Sequence, residues 1–435
     1  MKRHIKDLLF LFGVLLPFLV QGQQQFSLKS AIDTALQNNF DIRISKNNLE
    51  MARMNNSYGV AGGLPYVSAS AGDNLSVNNY LQEFSDNTET SVDNQRENAV
   101  NAGVSAGIVL FNGFKVIATK ERLSRLENLS EIQLNQQVQN TIADVMITFY
   151  DIIRQQNYLK IIQNSLDVSN QKLDIINVKS KVGMADAAEV LQAQSDVNTA
   201  EQLLALQQMV IEQNKADLLL LISAKSQFSY YIGDTIAVDA SLRLDSILNY
   251  LNRNPQYLSA EQQILIDQQL VKEVSAQRYP SVKLNAGYDL YQTDLNKGNM
   301  LMSRNYGPTA GVTLQVPVFN GFIYKTQKDI AKIRVDNSML EKEGLLYSLS
   351  AQAANLYRSY STTLQQLEAQ RMNFNLTRQL VEVVLQKFNL GQATILDVKA
   401  AQSSFENAAY LLVNLKYSAK VAEIELKQLM YKLEY

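Results

Sequence analysis

The chain carries an internal duplication, so whatever it folds into must be built twice. Phe111-Asn112-Gly113-Phe114 recurs letter for letter as Phe319-Asn320-Gly321-Phe322, 208 positions on. At the same offset Val182-Gly183-Met184-Ala185 faces Leu390-Gly391-Gln392-Ala393, Glu189-Val190 faces Asp397-Val398, and Ala193-Gln194-Ser195 faces Ala401-Gln402-Ser403. Upstream, Leu64-Pro65 faces Tyr279-Pro280 at an offset of 215, so the first copy holds seven extra residues between its proline and its Phe-Asn-Gly-Phe. Self-similarity at a fixed offset marks repeated supersecondary units. The two copies divide the chain into repeats at 23–225 and 226–435.

Each copy reads the same way. A helix is predicted from Ser27 to about Tyr58, and its counterpart from about Arg243 to Gln277. The following proline ends it and favours extended chain. Two alternating segments come next, at about 66–78 and 100–111 in the first repeat and about 281–291 and 308–319 in the second. Val282, Leu284, Ala286, Tyr288 and Leu290 point one way, while Ser281, Lys283, Asn285, Gly287 and Asp289 point the other. Strands of about 9–11 residues with one apolar and one small, polar face suit a transmembrane barrel, which has lipid outside and water inside. A soluble sheet with one face on a core shows the same alternation. Closing a membrane barrel takes at least about eight strands. Four strands per chain therefore require several protomers to share one barrel. The polar stretches at 78–98 and 292–306 read as loops on the outer rim, which leaves the helices in the periplasm.

Each second strand leads into a long helical hairpin, predicted at about 113–225 and about 321–432. Val138, Val145, Ile152, Leu159, Leu166 and Leu173 recur every seven residues, as do Leu346, Ala353, Tyr360, Leu367, Phe374, Val381 and Phe388. A seven-residue apolar repeat imposes coiled-coil packing. About 70 residues of helix span roughly 100 Å, which no compact domain needs and a hollow or rod-like assembly does.

Composition narrows the chemistry. The formal net charge is −2, with no basic face that would advertise nucleic acid. Residues 1–22 read as a secretory signal peptide, with Lys2, Arg3, His4 and Lys6 ahead of a short apolar run from Leu8 to Val20. His4 is the only histidine and there is no cysteine, so the mature chain lacks both. That removes the usual zinc and copper ligands and the Ser-His and Cys-His nucleophile pairs. No catalytic, cofactor-binding or metal-ligating residues are expected. Gly103-Val104-Ser105-Ala106-Gly107 matches a nucleophile elbow, but it has no histidine base and lies in a predicted strand. Ser169-Asn170-Gln171-Lys172 matches Ser-x-x-Lys on what reads as an exposed helix.

The glycine breaks say more. Gly183 and Gly391 each end the long helix of their copy, and acids follow, Asp186 and Glu189 in the first and Asp397 in the second. Two roles suit these acids. One is to cap the next helix, whose dipole favours negative charge at its start. The other is to contribute to a cation-attracting ring or gate at the far end of a tube, with Thr394 in the same turn.

At this point the mature chain resembles the TolC family of outer-membrane efflux proteins over nearly its whole length. The resemblance rests on the two Phe-Asn-Gly-Phe strand ends, the two proline-led strands and Leu390-Gly391-Gln392-Ala393-Thr394-Ile395-Leu396-Asp397-Val398, with Ala401-Gln402 after it. It implies an α+β membrane protein of two internal repeats. It also implies a homotrimer in outer-membrane lipid, with a 12-stranded barrel, four strands from each chain, and a periplasmic helical tunnel. A periplasmic adaptor and an inner-membrane transporter are the partners so implied, in an efflux or type I secretion system. Family members sometimes carry a second aspartate where this chain has Ala400 and an arginine where it has Ala393. A passive export duct is the leading reading, and a secreted or periplasmic coiled-coil scaffold without a pore is the alternative.

Overall fold

The computed structural model describes residues 24–224, 230–298 and 300–433. The expected signal peptide, 1–22, lies outside the described residues. In chain order the elements are β1 (Gln24–Gln25), α1 (Leu28–Asn38), α2 (Phe40–Asn55), β2 (Tyr66–Glu83), β3 (Glu89–Phe111), α3 (Lys115–Lys181) and α4 (Ala187–Leu221). Then follow β4 (Tyr230–Tyr231), α5 (Leu244–Tyr250), a 3-10 turn at Leu251–Arg253, α6 (Pro255–Ala276), β5 (Ser281–Leu295), β6 (Met302–Gln315), α7 (Ile323–Asn389) and α8 (Ile395–Leu429). Two compact units result. One gathers residues up to Arg43 with Gln137–Leu251 and the chain from Leu349, and the other is Ile44–Gln136 with Asn252–Ser348. Each draws on both repeats, so the boundary between 225 and 226 is a division of sequence and not of packing.

The second unit holds a four-stranded antiparallel sheet of order β2-β3-β5-β6. The central ladder joins the repeats, with Ile108 opposite Leu284 and Ala102 opposite Leu290. β2 and β5 begin directly after Pro65 and Pro280. The strands run well past the predicted 78 and 291 and begin before 100 and 308. Most of the two predicted loops is thus strand, with a turn at 84–88 and a bend at 296–298. Tyr80↔Val92 and Gln292↔Arg304 carry the ladders through polar sequence, where cross-strand pairing and not apolar alternation maintains the strand. β6 ends at Gln315 and not at 319. Pro317 has no N–H to donate to a ladder. Large apolar side chains on these strands stay open in the single chain, among them Val67, Leu75, Val312 and Leu314. In the same unit Arg122 pairs with Glu273 at 2.7 Å and Ser338 Oγ donates to buried Asp267 at 2.6 Å, tying α3 and α7 to α6.

The helix predicted over 27–58 is two helices. Asn39 breaks it, accepting at Oδ1 from Asp41 N (2.9 Å) and Ile42 N (3.1 Å) and donating through Nδ2 to Leu221 O (2.8 Å). The helix predicted over 243–277 breaks likewise at Asn254, which accepts from Gln256 N at 2.8 Å with Pro255 opening α6. Asn39 and Asn254 stand 215 positions apart, the offset of the two prolines, so the break belongs to the repeat. An asparagine that caps a helix offers its backbone an alternative to continuing one.

The helical unit packs Ala31, Ile32 and Ala35 of α1 against Val145, Phe149 and Ile152 of α3, Leu218 of α4 and Ile424 of α8. Further along α3 the seven-residue register drifts. Leu159, Leu166 and Leu173 are half-buried, while Ser165, Ser169 and Lys172 take the fully buried positions. A straight helix of 3.6 residues per turn moves off a seven-residue repeat by about 20° per heptad.

An ionic cluster fastens the segment before α5 to this unit. Glu423 is 2% exposed and accepts from Lys420 (3.0 Å), Lys427 (2.8 Å) and the backbone N–H of Asp239 (2.9 Å). Lys427 also reaches Asp239 Oδ2 at 3.1 Å, and the Tyr360 hydroxyl donates to Asp239 O. Hydrogen bonds from the Ser241 hydroxyl and N–H, then from Lys427, hold the Asp239 carboxyl at a pKa of about 2. Because the folded value lies below the unfolded one, this contribution to stability is present above pH ~4 and is lost as pH falls toward ~2. The thermal midpoint should therefore drop over that window, and Asp239→Asn should flatten the drop.

Candidate functional site

Two pairs of motifs form the candidate site, one pair in each compact unit. In the sheet unit, both Phe-Asn-Gly-Phe motifs turn the chain from strand to helix. Gly113 and Gly321 have φ of 68° and 66°, and Phe114 and Phe322 follow at 66° and 64°. Two consecutive left-handed residues reverse the chain sharply, and the second is held there although it is not glycine. Asn112 O accepts from Lys115 N at 3.3 Å and Asn112 Oδ1 from Val116 N at 3.3 Å, capping α3. Asn320 O accepts from Ile323 N at 3.4 Å. Each motif closes on an edge-to-face ring pair, Phe111 with Phe114 at 5.4 Å and Phe319 with Phe322 at 5.5 Å. Phe114, Phe319 and Phe322 remain largely exposed, with Phe319 at 75%, while Phe111 is partly covered. Rings at a strand's end suit the membrane–water boundary, where a barrel carries its aromatic girdle.

In the helical unit, the two tips share one construction. Gly183 (φ 75°) and Gly391 (φ 73°) end α3 and α7. Met184 N returns to Lys179 O at 2.8 Å and Gln392 N to Lys387 O at 2.8 Å, the Schellman closure that a left-handed glycine permits. A capping box opens the next helix. Glu189 N donates to Asp186 Oδ1 at 2.8 Å and Asp186 N to Glu189 Oε2 at 3.2 Å. Asp397 N donates to Thr394 Oγ1 at 3.2 Å and Thr394 N to Asp397 Oδ2 at 2.8 Å. Hydrogen bonds from the Thr394 backbone and then its hydroxyl lower the Asp397 pKa. The acids thus cap helices, and all four side chains of the two boxes stay accessible at the tips.

The fold brings the tips together. Ile176, Ala193, Phe388 and Val398 form a buried cluster, with Ala185 and Ala393 packed on it. Lys179 Nζ donates to Phe388 O at 2.7 Å and lies 4.2 Å from its ring centroid. Exposed apolar side chains crown both tips, Val182, Met184 and Leu191 on one and Leu390 and Leu396 on the other.

Behind the tips lies a polar network that the sequence did not disclose. Lys172, 1% exposed, is paired with Asp196 Oδ2, and Lys399 reaches Asp196 Oδ1 at 3.3 Å. Burial raises the Asp196 pKa, but the bonds from Lys172 and Gln192 outweigh it and the net direction is down. Gln402 donates to Ser165 O (3.2 Å) and Ser169 Oγ (3.2 Å). Ser169-x-x-Lys172 is therefore buried, not exposed as its polarity suggests. Its two side chains join α3 to α8 and α4. Ser105, in the elbow-like stretch, meets Ser68 Oγ across the ladder at 2.9 Å.

A membrane-length sheet continued by two long helical hairpins defines a strand-and-helix channel protomer of the outer membrane. Residues 31–223 and 247–430 match the family described as Outer membrane efflux protein. The chain is 22% identical over 419 residues to the toluene efflux pump outer membrane protein TtgC of Pseudomonas putida, covering 93% of this chain and 84% of that one. To the cation efflux system protein CusC of Escherichia coli it is 22% identical over 407 residues, covering 92% and 85%. The outer membrane protein VceC of Vibrio cholerae shares the fold, with a TM-score of 0.72 at 18% identity over 93% of this chain and 95% of that chain. The Campylobacter jejuni CmeC outer membrane channel does so with a TM-score of 0.74 at 16% identity over 93% and 85%. The chain belongs to the outer membrane efflux protein family. It is an outer-membrane efflux channel protein with a helical periplasmic portion, and the pore-free scaffold reading is set aside.

Proposed function

We propose that three copies close one barrel and that the resulting duct moves cargo passively, with no catalytic step. The observation that carries this reading is the sheet itself. Among the described residues the outer edges of β2 and β6 have no partner strand, large apolar side chains of the sheet are exposed, and its four strands are too few to close in lipid. Strands shared between copies satisfy both edges and give a pore. In this reading the signal sequence at 1–22 directs export, and Phe111, Phe114, Phe319 and Phe322 sit at the periplasmic boundary of the bilayer. A periplasmic adaptor docks on the apolar crowns of the tips, and an inner-membrane pump supplies the energy and selects the cargo. Purified protein should run as a trimer by native mass and conduct in planar bilayers. A protein that stays monomeric and never conducts would sink the proposal.

In the same reading Glu189 and Asp397, repeated around three copies, form an anionic ring as well as capping their helices. Asp397→Asn keeps an acceptor for the cap and removes the charge. It should weaken divalent-cation block of the conductance. Unchanged block, with the helix intact, would leave Asp397 a cap and nothing more.

A further inference from the structure

We propose that Asn320 is a site of spontaneous deamidation through its own backbone, and that Asn112, its twin in the first repeat, is protected from the same reaction. Asn112-Gly113 and Asn320-Gly321 are the only Asn-Gly pairs in the chain. A glycine leaves its backbone nitrogen open to the preceding asparagine side chain, because no Cβ shields it. In the reaction the Gly321 nitrogen attacks Asn320 Cγ. A C–N bond forms, the bond from Cγ to Nδ2 breaks, and Nδ2 leaves as ammonia with the proton of the Gly321 N–H. Water then opens the succinimide ring at one carbonyl or the other, which gives aspartate or isoaspartate. Water enters and ammonia leaves, with no oxidant or reductant.

Both pairs lie between the same phenylalanines, and the glycines share φ angles of 68° and 66°. The four-letter motif and its turn therefore cannot tell the two sites apart. Their surroundings do. Asn112 Oδ1 accepts from Val116 N at 3.3 Å, so that amide is tied down as a helix cap. Among the described residues Asn320 Nδ2 is instead buried with no hydrogen-bond partner. Its departure as ammonia breaks no hydrogen bond and removes the cost of an unpaired buried donor. The turns also differ in room. Ring closure draws the glycine nitrogen onto Cγ, and isoaspartate adds one carbon to the main chain. Gly113 is wedged, since a Cβ on it would lie 2.6 Å from Ala276 O and 2.7 Å from Tyr279 Cβ, whereas one on Gly321 meets nothing within 4 Å. The new carboxylate stands just ahead of α7, where the helix dipole favours negative charge. One strand-to-helix junction thus gains a charge and, as isoaspartate, a longer backbone, while its twin keeps both as they were.

The test needs no variant. The full-length protein in detergent is incubated at mildly alkaline pH, sampled over time and digested with trypsin. Residues 97–115 and 305–325 come off as separate peptides, each holding one of the two pairs. Tandem mass spectrometry reads deamidation at each asparagine, and electron-transfer fragmentation separates aspartate from isoaspartate. A sample unfolded in guanidinium runs alongside. In the folded protein Asn320 should convert at least about fivefold faster than Asn112, the factor that one hydrogen bond on the reacting amide is worth. The two rates should converge in the unfolded chain, where the flanking residues are the same. Equal rates in the folded protein overturn the proposal, as does a folded protein in which neither site converts while the unfolded chain does. A contrast that persists on unfolding also overturns it, because the fold would then not be its cause.

Discussion

Gly113→Ala should cost about 2–5 kcal/mol, while Gly321→Ala should cost only about 1–2 kcal/mol. The two glycines occupy the same place in the same four-letter motif, and their φ angles differ by only 2°. Both substitutions meet the same backbone penalty, because a left-handed residue brings Cβ too close to its following carbonyl. The surroundings differ. A Cβ at Gly113 would lie 2.6 Å from Ala276 O and 2.7 Å from Tyr279 Cβ, whereas one at Gly321 meets nothing within 4 Å. The first clash involves backbone at the end of α6, which cannot swing aside as a long side chain would. Thermal unfolding of the two variants in detergent tests the contrast. Equal losses would mean that the junction of the first copy is looser than its geometry.

Asp196→Ala should destabilise the tips by about 3–5 kcal/mol, because it leaves Lys172 charged, buried and without its partner. The lysine is 1% exposed, and Asp196 is the carboxylate that meets it. Lys399→Ala removes the other lysine on the same aspartate, yet that side chain is 57% exposed and its pair is worth about 0–1 kcal/mol. The pair of variants separates a buried ion from a solvated one at a single carboxylate. Replacing both partners, with Lys172→Met and Asp196→Ala, should recover most of the loss, since no buried charge is then left without its partner. Protease sensitivity near 183 and 391 reports the effect locally, and far-ultraviolet circular dichroism reports it globally. Failure of the double variant to recover would assign the cost to packing instead of charge.

These two cases show where sequence reasoning reached and where it stopped. The duplication, the proline-led strands and the glycine turns that end the long helices at Gly183 and Gly391 were all legible. Each depends on a residue type whose local physics is nearly independent of context. The outer parts of the strands were not legible, because polar residues such as Asn78 and Gln292 are held in strands by the ladder beside them. Nor was the break at Asn39, whose amide is committed to Leu221 O, 182 residues away.

By itself, then, the sequence determined that the chain is two copies of strand pair and helical hairpin, where glycine and proline forbid continuation, and which faces are apolar. Only the tertiary structure decided how far the identical motifs differ. It set the backbone of α6 against Gly113 and open space beside Gly321, and it placed a lysine where the register of a long helix drifts into the core. Periodicity describes one helix at a time. What a position costs depends on the atoms that other segments bring to it.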